Sequence, residues 1–176
     1  MERRDEIVRA AYRCIGRNGL PGLRMRDVAA EAGVNIATVH YHLTDKTALI
    51  RAVVEHAHDT FREATAPPAD TAPDRRLRVH LTRVFDVLRA RPELGRVLAE
   101  LALHAERDTA VAAIVAAAER RWLTALRAML PPGPDATARC RLLLLTIKGA
   151  CLPTAPRAAR DARRALLRTV DLWYPG

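Results

Sequence analysis

Along residues 3–17 the apolar positions Ile7, Ala11, Cys14 and Ile15 recur at three- and four-residue intervals with charged side chains opposite. That spacing predicts an amphipathic helix. The stretch "NGLPG" then stops it through its glycines and proline. A short helix around 26–32 follows, carrying Val28, Ala29 and Ala32 inward and ending at Gly33. Asn35 is a good N-cap for another short helix over 36–42, in which Ile36 and Val39 serve the core. Thr44 or Asp45 caps a longer one, with Leu49, Val53 and Ala57 facing inward.

Residues 64–74, "ATAPPADTAPD", have four alanines, three prolines and no apolar period, so they read as a loop or linker. The expected domains are therefore 1–60 and 61–176. In the second, Leu77, Leu81, Val84 and Leu88 keep helical spacing until Pro92, which opens a helix carrying Leu94, Val97, Leu98 and Leu101. A longer stripe runs through Val111, Val115, Ala118, Trp122, Leu126 and Met129 to "PPGP". A final helix over about 156–172 turns Ala162, Leu166, Thr169, Val170 and Trp173 to one side. Residues 142–152, "LLLLTIKGACL", are apolar nearly all round. Such a helix needs cover on more than one side. Either it sits centrally in its own domain or it lends one face to a partner chain, where Gly149 permits close backbone approach.

Composition turns this pattern into a fold class. Apolar residues make up 49% of 176, enough for a real core. Alanine, leucine and arginine dominate while strand formers are thin, so the chain is expected to be all-α. The net charge of +9 lies mostly outside the first region: 9 basic and 8 acidic residues give +1 over 1–60, against 20 and 12, or +8, over 61–176. The three cysteines, Cys14, Cys140 and Cys151, have no CxxC spacing, so neither a disulfide framework nor a zinc site is supported. No apolar run reaches the ~18 residues of a membrane span, and the N-terminus lacks a signal-peptide stretch. A cytoplasmic protein is expected.

The residues richest in chemistry are "MRDVAAEAGVNIATVHYHLTDK", 25–46. Two short helices joined by a Gly-Val-Asn turn make a helix-turn-helix. Neither is stable alone, so both lean on the helices before and after them. The outer face of the second is left for a major groove, with Thr38, His40, Tyr41 and His42 as polar contacts to phosphates or base edges. Each has a plainer alternative: a local hydrogen bond for Thr38, partial burial for Tyr41, packing against the first helix for His42.

With "IVRAA" in the first helix, this stretch resembles the DNA-binding domain of the TetR family of transcriptional regulators over roughly residues 5–56. The resemblance implies about nine helices, an N-terminal helix-turn-helix domain and a C-terminal ligand-binding and dimerisation domain. "RPELGRVLAELALHAERD" weakly resembles the ligand-binding region of some members, including BetI-like ones. By motif position Arg26 falls where members contact base or phosphate, and Lys46 falls at a phosphate-binding helix start. Arg24 stands where a threonine cap is usual, His40 where tyrosine is usual, and Leu43 where an aromatic is common. Arg24, Arg26, Asn35, Thr38, His40, Tyr41, His42 and Lys46 are thus the candidate DNA-binding set.

The family likeness also implies a pocket for a small-molecule effector, with His80, Phe85, His104 and Trp122 best placed to line it. The implied partners are a double-stranded, palindromic DNA operator and a second copy of the chain held through the last two helices. A homodimeric repressor is expected. No enzyme motif, cofactor fingerprint or metal constellation is present in the sequence; His40/His42 and His56/His58 are two apart and diverge by roughly 200° on a helix. No enzyme, cofactor or metal is expected. The alternative is a small-molecule-binding or interaction module that no longer binds DNA, favoured by the near-neutral first region.

Overall fold

The computed structural model describes residues 2–152 and 156–174. Among them the chain is all-α, with helices α1 (Glu2–Asn18), α2 (Met25–Ala32), α3 (Ile36–His42), α4 (Lys46–Thr65), α5 (Pro73–Ala90), α6 (Pro92–Ala105), α7 (Thr109–Met129), α8 (Ala136–Ala150) and α9 (Pro156–Asp171). The expected 64–74 loop is shorter, because α4 runs on to Thr65 and Pro73 already opens α5. Proline fits there because the first helical position has no intrahelical N–H partner to lose. None of the described helices is long and apolar enough to cross a membrane.

The chain forms two compact units, Met1–Thr60 with Arg96–Ala118 and Phe61–Gly95 with Glu119–Gly176. In the first, Ile7, Ala11 and Ile15 of α1 are buried with Val28 of α2, Val39 of α3 and Leu49 and Val53 of α4. The expected inward faces of α1 and α4 are therefore found. Ala32 is half-buried. The reading of Ile36 as core is overturned: it is 48% exposed, while Val39 is fully buried. On a helix of seven residues only one turn reaches the core, and Val39 occupies it.

The turn after α1 uses Gly19 at φ 71°, a left-handed conformation that suits glycine. A Cβ there would lie 3.1 Å from Glu100 Oε2, and the same carboxylate accepts the Leu20 N–H at 3.0 Å. Arg13 Nε donates to Glu31 Oε1 at 2.7 Å and Arg17 pairs with the other oxygen, tying α1 to α2. The Arg17 and Arg13 hydrogen bonds lower the Glu31 carboxyl to about 2.

In the second unit Leu77, Leu81 and Val84 of α5 are buried with Leu126 of α7, Leu143 and Ile147 of α8, and Leu166 and Val170 of α9. Arg78 of α5 pairs with Asp171 of α9 at 2.6 Å, and Arg163 of α9 grips Asp86 of α5 at 2.9 and 3.3 Å. Such exposed pairs each contribute at most about 1 kcal/mol. Ala162 and Thr169 were expected inside and are exposed. The buried stripe of α9 is narrower than predicted, carried by Leu166 and Val170.

Residues 142–152 prove two-sided. Leu143 and Ile147 are buried, whereas Leu142, Leu145 and Leu152 are 47%, 66% and 49% exposed. A central position is thereby excluded within the chain. Leu172, just past α9, is 84% exposed. At Gly149 an added Cβ would meet nothing within 4 Å.

Candidate functional site

The helix-turn-helix is held by backbone geometry that its sequence dictates. Gly33 has φ 66°; its N–H bonds Ala30 O at 3.2 Å and the Val34 N–H bonds Ala29 O at 3.0 Å. This paired closure satisfies the last carbonyls of α2 and turns the chain. Asn35 then caps α3, its Oδ1 accepting from the Thr38 N–H at 2.7 Å and from the Thr38 hydroxyl at 2.8 Å. Leu43 closes α3 by its N–H to Val39 O at 2.8 Å and is itself buried, so an apolar residue fits where an aromatic is common. Asp45, rather than Thr44, caps α4 by accepting the Ala48 N–H at 2.7 Å.

Around this frame the candidate residues fall into two sets. Tyr41 is 84% exposed, which excludes partial burial within this chain, and its ring meets His42 edge-on at 5.2 Å between centroids. His40, Arg24, Arg26 and Lys46 are exposed too. Arg24 occupies the cap position of α2 without a side-chain cap bond, leaving its guanidinium outside the helix; Arg26 pairs loosely with Asp27 at 3.5 Å. Asn35 and Thr38 instead form the cap. The Thr38 hydroxyl donates to Asn35, so what it offers outward is a lone pair. His42 is half-buried.

The arrangement presents a short helix with an imidazole and a phenol on its outer side, flanked by two arginines and a lysine. These groups can donate to phosphate oxygens and base edges. Lys46 is the first residue of α4, where unpaired N–H groups and the helix dipole add to its charge.

The second unit holds a pocket of about 500 Å³ lined by residues of α4, α5, α7 and the α4–α5 loop. His80 and Trp122 line it, while Phe85 and His104 do not. Phe85 lies five residues beyond His80, well round the helix, and is buried. His104 belongs to the first unit, 3.7 Å from Asp108. The loop residues Pro67 and Pro68, with Thr65 and Met129, complete a lining that the sequence did not reveal. Their signal was the proline-rich break itself, which carries no apolar period.

His80 is 4% exposed and its Nδ1 lies 2.9 Å from Thr65 O; burial holds its pKa below the ordinary imidazole value, against the opposing pull of that hydrogen bond. Cys14, Cys140 and Cys151 are free thiols, and burial raises all three, Cys151 to about 11. Among the described residues no cluster of three or more His, Cys, Asp or Glu could hold a metal.

Comparison with known proteins agrees with this geometry. Residues 7–53 match the family model of the bacterial regulatory proteins of the tetR family. The HTH-type transcriptional repressor NicS of Pseudomonas putida is 30% identical over 103 residues, 57% of this chain and 49% of NicS. The HTH-type transcriptional regulator BetI of Burkholderia mallei is 32% identical over 87 residues, 48% of this chain and 45% of BetI. The chain thus spans about half the length of the curated relatives it matches. A TetR-family regulator from Rhodococcus sp. superposes with a TM-score of 0.85 over 99% of both chains at 23% identity, a likeness of fold. The multidrug binding protein EbrR, complexed with ethidium, matches at 28% identity and TM-score 0.73, over 94% of this chain and 97% of EbrR. The family model falls on the very residues that build the capped helix-turn-helix, so residues 7–53 carry the likeness to the bacterial regulatory proteins of the tetR family.

Proposed function

We propose that the chain is a DNA-binding transcriptional regulator, a homodimeric repressor released from a palindromic operator by a small-molecule effector. In this reading residues 1–60 are the DNA-binding domain and 61–176 the ligand-binding and dimerisation domain. The observation that carries it is the outer side of α3. Val39 is fully buried and anchors the helix, while Tyr41 is 84% exposed with His40, Arg24, Arg26 and Lys46 also open to solvent. Asn35 and Thr38 serve by holding the helix start, and His42 by supporting Tyr41.

Two-fold pairing through α8 and α9 is supported by the exposed leucines at 142, 145 and 172, and it demands an operator of matching symmetry. The repressor role is supported by the likeness to NicS, and the effector by the likeness to EbrR and by the pocket at His80 and Trp122. Effector binding releases DNA only if the released state binds effector more tightly.

The test is DNA binding by fluorescence anisotropy on the chain's own upstream region, titrated with salt. Lys46→Ala is expected to weaken all sequences alike and to lower the salt slope by about 1. An unchanged slope counts against the phosphate role, and no binding at low salt favours the second reading. That reading, a small-molecule-binding module that has lost DNA, draws on the net charge of only +1 over residues 1–60, from 9 basic and 8 acidic groups.

A further inference from the structure

We infer that the pocket of the second unit takes a small, uncharged, largely apolar ligand with one hydroxyl group, which bridges the indole of Trp122 and the imidazole of His80. This deepens the effector reading above and rests on it.

Among the described residues two side-chain nitrogens are sealed from solvent without a hydrogen-bond partner, His80 Nε2 and Trp122 Nε1. Their rings are neighbours, with centroids 6.1 Å apart, and both residues line the pocket. The roles of the two atoms are settled by chemistry. A carbonyl only accepts, so His80 Nδ1 donates to Thr65 O and carries the ring proton. Nε2 of the neutral ring is then a bare acceptor, while the indole N–H is a donor only. A buried donor and a buried acceptor stand side by side, each lacking the bond it requires.

A hydroxyl is the common small group that answers both at once, accepting from the indole and donating to the imidazole. A carboxylate only accepts and a primary ammonium only donates. Each would leave one nitrogen unmatched and would bring a charge into the buried end of the pocket. The body of the ligand meets Pro67, Pro68, Ala125, Ala128 and Met129. The exposed Arg62 and Arg76 also line the pocket, and Arg76 Nε donates to Thr71 O at 3.0 Å. The volume of about 500 Å³ suits a one- or two-ring molecule and falls in the roughly 300–1,000 Å³ of ordinary ligand sites. Since both nitrogens are covered, the hydroxyl reaches them as one ring swings into the pocket beside it.

The experiment is calorimetric titration of the full chain with cyclohexylmethanol, 3-phenylpropanol and 2-naphthylmethanol. Each is set against the carboxylate, the primary amine and the hydrocarbon of the same skeleton. Trp122 fluorescence is read in parallel in Trp173→Phe, which leaves Trp122 as the only one of the 2 tryptophans. At least one alcohol is expected to bind one site per chain about tenfold more tightly than its charged counterparts. Trp122→Phe and His80→Phe are each expected to bring the alcohol down to its hydrocarbon, with the hydrocarbon unchanged. If His80→Phe fails to fold by circular dichroism, Trp122→Phe decides alone.

A carboxylate or amine that binds as well as the alcohol overturns the inference. So does the absence of binding by all three alcohols, or a preference that survives Trp122→Phe. DNA is absent from these titrations. An alcohol that binds with the stated preference yet leaves the DNA complex intact upholds the site and sinks the effector reading.

Discussion

The helix-turn-helix and the leucine-bearing faces of α8 and of the segment just past α9 expose different kinds of side chain. On α3 the most exposed large side chain is a tyrosine, beside an open histidine and flanked by arginines and a lysine. At the other end of the chain the exposed large hydrophobic side chains are leucines, at 142 and 145 on α8, at 152 just past it and at 172 just past α9. Both surfaces rest on equally closed cores, since Val39 and Val170 are each fully buried. What an element shows outward is thus independent of how well it is anchored, and it reports the medium that the surface is built to meet. A polar, cationic helix suits a wet polyanion. A run of leucines suits another apolar surface, because exposed apolar patches mark association sites.

That contrast can be broken by experiment, and the largest effect is expected on the leucine side. Leu145→Glu with Leu172→Glu should convert a dimer to a monomer by sedimentation velocity and weaken operator binding by about 100-fold or more, since two linked half-sites become one. The circular dichroism of the monomer should stay helical; a variant that remains dimeric would move the interface elsewhere. On the polar side, Tyr41→Ala should leave the dimer intact and weaken operator binding by about tenfold, the worth of a good direct contact. If instead the dimer dissociates, the exposed ring belongs to a protein interface.

Asn35→Ala should be smaller and of a different kind. It removes the cap of α3 and frees the Thr38 hydroxyl, so stability by urea unfolding should drop by about 1 kcal/mol. An unchanged midpoint would mean that solvent replaces the cap.

The smallest effect concerns Glu31, whose hydrogen bonds from Arg17 and Arg13 lower its carboxyl from 4.5 to about 2. A depressed folded value stabilises the folded state above the unfolded value and is lost as pH falls from about 4.5 through about 2. Wild type should therefore lose more stability between pH 7 and pH 3 than Glu31→Gln does. Equal losses would show that the pair is solvated in the unfolded and folded states alike.

Much of the candidate interface could be read from the chain because it is built locally. A glycine that closes α2, an asparagine three residues before its hydrogen-bond partner and an aspartate three before its own are all encoded within a few positions. The same is true of the register that buries Ile7, Ala11 and Ile15. The pocket was legible only by half, since His80 and Trp122 line it while Phe85 and His104 face elsewhere. Which amphipathic side chains meet depends on contacts between residues tens of positions apart, such as His80 and Trp122, and periodicity on one helix carries no such information.

Sequence alone therefore settled the all-α class, the helix-turn-helix and the order of its helices, because capping, turn chemistry and apolar spacing act over one or two turns. Ile36 was read as core until the fold showed that a seven-residue helix offers the core a single turn, which Val39 takes. Only the folded chain could set an indole donor beside an imidazole acceptor, or divide a run of leucines into buried and bare faces. Those outcomes belong to the close packing of distant segments, where each side chain's surroundings are supplied by all the others.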